Sequence, residues 1–286
     1  MTAFFQALAE YGFLRNALLT GVLAGVACGV IGSYVVVRRI SYIAGGIAHS
    51  VLGGIGAALY LQRALGWDWA HPLLGAVVSA LLAALIIGVV SLRVRERVDT
   101  VIGAVWAIGM ATGLLFLSRT PGYGEDLMSY LFGNILMVRT SDLWVISGLD
   151  AVVLVAAVLF HNRLLAVSFD EEFARVRGIN VEFYYLLLLG LTALTVVLLV
   201  TVVGIVLVIA LLTIPAAIAG QLSKRLSVMM GVAVAISISL TTAGLALSYE
   251  PDLPSGPTII LLAGAVYLVV ALAGHFRRRR AARRLT

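Results

Sequence analysis

Long apolar segments separated by short polar gaps repeat along the whole chain. A helix needs about 20 apolar residues to cross the hydrocarbon core of a bilayer. The sixth and seventh apolar segments meet at Gly204, and Pro215 interrupts the seventh. This pair is either two full crossings or a crossing followed by a broken, re-entrant helix. The pattern therefore predicts an all-α, polytopic membrane helix bundle with eight to nine transmembrane helices in a single domain, residues 1–286. The predicted spans are 16–37, 43–62, 72–92, 100–118, 143–160, 183–203, 204–220, 228–248 and 257–275.

The composition supports a membrane protein and excludes two other classes. Hydrophobic residues make up 62% of the 286 positions and charged residues 12%, whereas soluble domains carry about 25% charged residues. The charge is too sparse to cover a water-facing surface, so the lipid bilayer is the expected surrounding. No continuous basic face suggests a nucleic-acid partner. Cys28, the one cysteine, has no intrachain disulfide partner and is expected to be a packing residue.

Basic residues cluster in five of the polar gaps, which is typical of cytoplasmic loops. Two spans separate each basic gap from the next, so all five fall on one side of the membrane. With nine crossings the N-terminus lies outside, and a basic tail of residues 276–286 lies inside. The clusters are Arg38 and Arg39; Arg93, Arg95 and Arg97; Arg163, Arg175 and Arg177; Lys224 and Arg225; and Arg277–Arg280 with Arg283 and Arg284.

Two polar segments are longer than simple turns. The external segment 121–134 carries Glu125 and Asp126. In the internal segment 168–178, Ser168 is expected to cap a short helix, acidic residues occupy its first turn, and Gly178 ends it. A short charged helix in a cytoplasmic loop is suited to dock a soluble partner.

Glycine spacing indicates where helices approach closely. Gly21, Gly25 and Gly29 form two overlapping GxxxG patterns in the first span. In the second span, four glycines lie on the same helical face as His49, so this face is predicted to pack against protein. They are Gly45, Gly46, Gly53 and Gly56.

Two ionisable residues, His49 and Asp150, fall well inside predicted spans. Such groups are costly at membrane depth and usually face the bundle interior or an ion path. Imidazole and carboxylate are ligands for divalent transition metals. His49 is therefore either a contact for a metal in transit or a residue hydrogen-bonded to a neighbouring helix. The same two interpretations apply to Asp150.

The sequence gives little support for catalysis. It contains no HExxH, GxSxG or CxxC motif and no GxxxxGK[ST] phosphate loop. Lys224, the one lysine, follows a Gln-Leu-Ser sequence rather than a glycine-rich loop. The chain is thus predicted to be a transport subunit and not an enzyme, and any ATP hydrolysis would occur on a separate chain.

Five motifs, in this order, resemble the metal-ion ABC transporter permeases of the bacterial zinc/manganese/iron uptake family. The resemblance covers nearly the whole length and includes the zinc-uptake permease. The motifs are VVVRRISY with GGIAHS (35–42 and 45–50), DTVIG (99–103), DLMSYLFGN (126–134), VGIVLVIALLTIPAA (203–217) and PSGPT (254–258).

The resemblance implies a permease core in the bacterial inner membrane that is a homodimer or a heterodimer, with the homodimer favoured. It implies an extracytosolic metal-binding protein that delivers the cargo and two copies of a cytoplasmic ATPase that bind ATP. The region 161–180 corresponds to the family's coupling segment. The implied coupling residues are Asp170, Glu171, Glu172, Ala174 and Gly178.

The family often has an aspartate four residues before the histidine, where this chain has Gly45. A second ligand to a metal at His49 must then come from another helix, with Asp150 as the candidate, or His49 lines a weakly coordinating path alone. The expected function is import of a divalent transition metal, zinc first and manganese or iron next, with no covalently bound cofactor. The alternatives are an importer of a metal chelate (haem, siderophore or cobalamin), an ion-coupled secondary carrier and an intramembrane enzyme.

Overall fold

The computed structural model describes residues 2–93, 97–122, 131–133 and 135–282, and these contain no strand. A 3-10 helix covers Ile135–Met137. The α-helices are α1 (Thr2–Glu10), α2 (Gly12–Val37), α3 (Ser41–Leu65), α4 (Pro72–Arg93), α5 (Val98–Arg119), α6 (Thr140–Leu159), α7 (His161–Phe169), α8 (Glu171–Val176), α9 (Val181–Val203), α10 (Ile205–Leu222), α11 (Leu226–Tyr249) and α12 (Ser255–Ala282).

Nine helices in the described part are long and apolar enough to cross a membrane: α2–α6 and α9–α12. They match the nine predicted spans, so the fold class is confirmed. The pair around Gly204 forms two separate helices of 23 and 18 residues. At about 1.5 Å per residue, the shorter one is about 27 Å long, close to the thickness of the hydrocarbon core.

Four of the five basic gaps, those that follow α2, α4, α6 and α10, gather at one end of the bundle, which we call the cytoplasmic end. Arg38, after α2, pairs with Glu171. The hydroxyl of Tyr185, near the start of α9, donates to Ser91 near the end of α4 at 3.2 Å. One cavity at this end is lined by both Arg177 and Arg225. Arg95, Arg283 and Arg284 lie outside the described residues, as do Glu125 and Asp126 of the external segment.

The GxxxG face of α2 packs against α11, as the spacing predicted. A Cβ atom added at Gly21 would lie 2.6 Å from Thr241 Cγ2, and one added at Gly29 would lie 2.6 Å from the Val234 backbone nitrogen. Contacts under 3.0 Å leave no room for a side chain. The two helices therefore approach closely because these positions are glycine.

The loop between α9 and α10 is a single residue, Gly204, with φ +85° and ψ 158°. This backbone region is essentially restricted to glycine. The segment 131–133 packs directly on it: a Cβ at Gly204 would lie 2.3 Å from the Gly133 nitrogen. Residues 131–133 of the external segment thus pack on the turn that joins two spans.

Candidate functional site

His49 lies on α3 and is 9% exposed. Its Nδ1 is 2.9 Å from the carbonyl oxygen of Gly45, one helical turn earlier. A carbonyl can only accept a hydrogen bond, so Nδ1 carries the proton and donates it. In the neutral ring this leaves the lone pair of Nε2 available for a ligand. Metal-binding histidines usually have this arrangement, with the second ring nitrogen held by a carbonyl or carboxylate.

Trp106 on α5 forms one wall of the site. Its ring stacks on the His49 imidazole with centroids 3.9 Å apart and planes 20° apart. The indole N–H donates to the sulfur of Met110 at 3.1 Å. The stack fixes the imidazole plane, and it depends on two helices that are distant in sequence. Sequence reasoning missed Trp106 because no spacing rule links residue 106 to residue 49.

The glycines around His49 divide into two groups. Gly46, Gly53 and Gly56 pack against α5, and a Cβ at Gly46 would lie 2.6 Å from Ile102 Cγ2. This confirms the predicted protein-packed face for these three positions. A Cβ at Gly45 would meet no atom within 4 Å. The space that the family's aspartate would occupy is therefore open.

Asp150 lies on α6 and is 3% exposed. Its Oδ1 is buried and has no hydrogen-bond partner. The helix packs on α2 and α9. His49 faces α5 instead, so the two candidate ligands have different neighbours. No group of three His, Cys, Asp or Glu side chains in the described part is arranged to hold a metal ion.

The predicted coupling segment, residues 161–180, contains two short helices, α7 and α8, at the cytoplasmic end. Asp170 caps α8, since its side chain accepts the backbone N–H of Phe173 at 2.9 Å. Gly178 ends the segment with φ +74°. The predicted capping role of Ser168 is wrong: α7 continues through this residue, whose hydroxyl is buried and unpartnered. Asp170 takes the role because the chain leaves the helical conformation there.

The exposed surface of the coupling segment is apolar as well as charged. Phe169, Phe173 and Val176 are 65%, 50% and 87% exposed, while Ala174 is fully buried. Glu172 is exposed, whereas Glu171 is engaged by Arg38. We call Phe169, Phe173 and Val176 the apolar knob. Sequence reasoning emphasised the acidic residues and missed the knob, because periodicity does not tell which side of so short a helix is covered.

Nine apolar spans in the described part of the chain, together with a buried imidazole and an exposed apolar knob at one end of the bundle, are typical of a membrane transport subunit. Residues 10–274 match the model of the ABC 3 transport family, and the chain belongs to this family. It is a multi-pass permease subunit of the bacterial inner membrane and is not an enzyme.

Two relatives and one solved structure show how closely the chain resembles known members. The probable metal transport system membrane protein of Chlamydia pneumoniae is 42% identical, over 89% of this chain and 86% of its own. The manganese transport system membrane protein MntC of Halalkalibacterium halodurans is 37% identical, over 93% and 89%. PsaBC from Streptococcus pneumoniae, solved with an antibody fragment, has a chain with 32% identity and a TM-score of 0.83, over 94% and 95%.

Proposed function

We propose that this chain is the permease of an ATP-driven importer for a free divalent transition metal, manganese first and zinc or iron next. The buried imidazole of His49 is the observation that carries this proposal, since Nδ1 donates to the Gly45 carbonyl and the neutral ring then keeps a lone pair on Nε2. The preference for manganese, which replaces the expectation of zinc, comes from the MntC relative, which is named for manganese transport.

Residue 49 would act as a transient contact for the metal. With Gly45 in place of a carboxylate, α3 offers one nitrogen ligand to the ion. An ion that is held by few ligands is bound weakly, and weak binding suits a path that must release its cargo. Asp150 is proposed as a separate contact, since its buried Oδ1 has no protein partner.

The remaining subunits belong to the same proposal. A cytoplasmic ATPase would dock on the coupling segment 161–180, with Asp170, Glu172 and the apolar knob at its surface. An extracytosolic metal-binding protein would deliver the ion, and a second copy of this chain would complete the membrane path. ATP binding would switch the opening from the outside to the inside.

Replacing Phe173 with alanine is expected to weaken binding of the ATPase by about tenfold or more, because exposed aromatic residues are frequent anchors of interfaces. The measurement is the dissociation constant of the ATPase for the permease in nanodiscs. Phe276→Ala is the matched control, since Phe276 is 58% exposed on α12, outside the coupling segment. Equal binding by both variants would remove Phe173 from the docking surface.

The function is tested by uptake into proteoliposomes that contain the chain with its ATPase and binding protein. Manganese, zinc and iron are offered separately, with and without ATP. ATP-dependent uptake of manganese supports the proposal, and preference for zinc would reverse the order of metals. Uptake driven by an ion gradient without ATP would favour a secondary carrier. Uptake of a chelate but no free metal would contradict the proposal.

A further inference from the structure

Arg38 lies in the turn between α2 and α3, the span that carries His49. Its side chain contacts the coupling segment. The residue follows α2, and only Arg39 and Ile40 separate it from α3. Its side chain is 10% exposed, which is unusual for an arginine in a loop. The burial requires partners, and they come from three other helices.

The guanidinium contacts α7, α8 and α9 together. One terminal nitrogen donates to the backbone carbonyl of Val167, and the other pairs with the Glu171 carboxylate. The ring of Tyr185 lies under the guanidinium, with the centroid 4.6 Å from Cζ. A planar group that forms two hydrogen bonds and a stack at once holds these helices in a fixed geometry.

The turn on the other side of Arg38 is also tightly fixed. The Ile40 nitrogen donates to Val35 at 3.0 Å and the Arg39 nitrogen to Val36 at 3.1 Å. Arg39 has φ +60°, a left-handed conformation that is uncommon outside glycine. A displacement of α8 would therefore pull on α2 and on the first turn of α3 without a flexible linker in between.

We propose that Arg38 is the positioning residue that transmits movement of the coupling segment to α2 and α3, and through α3 to His49. The inference rests on the proposed function, since it requires an ATPase that moves this segment. Glu171 is then the partner of Arg38, and the contact with the ATPase is left to Asp170, Glu172 and the apolar knob.

The test compares Arg38→Gln with Arg39→Gln, a matched loss of charge at the next position, where the side chain is exposed. Changes along coupling networks alter coupling by about two- to thirtyfold. We expect the Arg38→Gln permease to bind as many ATPase subunits as the wild type does. It should import about fivefold fewer metal ions per ATP hydrolysed. Arg39→Gln should stay within about twofold of wild type. Glu171→Gln should also import fewer metal ions per ATP, because it removes the charged partner of Arg38. It replaces Arg38→Gln in the test if that variant does not fold.

A second readout reports movement of α3 without any cargo. Tyr42, which is 47% exposed on α3, is replaced by cysteine in a Cys28→Ala background and labelled with bimane. ATP with vanadate should change the fluorescence, and Arg38→Gln should abolish most of this change. Equal responses of the Arg38 and Arg39 variants, or loss of the ATPase from Arg38→Gln, would overturn the inference. A wild-type response without metal uptake would contradict the proposed function alone.

Discussion

Replacing His49 with glutamine is expected to reduce ATP-dependent metal uptake by at least about tenfold, which corresponds to about 1.4 kcal/mol of lost interaction. The glutamine amide can still donate to the Gly45 carbonyl and fill much of the space beside Trp106. It lacks the imidazole nitrogen that binds transition metals. The loss should therefore appear in uptake and not in the amount of folded protein.

The control for this variant is His275→Gln, which removes an exposed imidazole near the cytoplasmic end of α12. Uptake should be unchanged there. A further variant, Gly45→Asp, places a carboxylate where the structure has open space and should tighten metal binding. Wild-type uptake by His49→Gln would return His49 to a packing role.

Replacing Gly204 with alanine is expected to be the most damaging single change to the fold. The backbone conformation alone costs a non-glycine residue about 1–3 kcal/mol. The added methyl group would also overlap the backbone of Gly133 and Phe132 at 2.3 and 2.4 Å. Because backbone atoms cannot rotate away, residues 131–133 would be displaced from their packing position on Gly204. We expect aggregation, or a large fall in the thermal midpoint measured in detergent.

Gly66→Ala provides the comparison. Gly66 also has a positive φ, +69°, but a Cβ there would meet no atom within 4 Å. Its substitution should cost only the conformational strain, about 1–2 kcal/mol. If the two variants melt at the same temperature, the packing of residues 131–133 on the turn between α9 and α10 contributes little to stability.

Much of the fold follows from the order of apolar and polar residues. A bilayer forces the backbone to satisfy its own hydrogen bonds, so apolar segments of sufficient length become helices wherever they occur. Nine spans, the break at Gly204 and the close approach along Gly21, Gly25 and Gly29 were predictable for this reason. Helix α1 was not predicted, because at 9 residues it is too short to produce a membrane signal.

The site was predictable in its residue types and not in its geometry. His49 and Asp150 were recognisable as unusual because an ionisable group inside a membrane has a high free-energy cost unless other polar groups contact it. Periodicity places residues on helix faces, but it does not tell which helices meet. It could not show that His49 stacks on Trp106, or that Oδ1 of Asp150 is buried without a hydrogen-bond partner.

The membrane class, the spans, the predicted sidedness of the basic gaps and the family resemblance follow from the order of residues alone, because these depend on local composition and on spacing within one helix. The open space at Gly45 and the contact of residues 131–133 with Gly204 depend instead on the tertiary structure. The same holds for Arg38, whose side chain pairs with Glu171. These contacts join residues more than 70 positions apart or depend on what surrounds a helix face, and they are set by packing between helices.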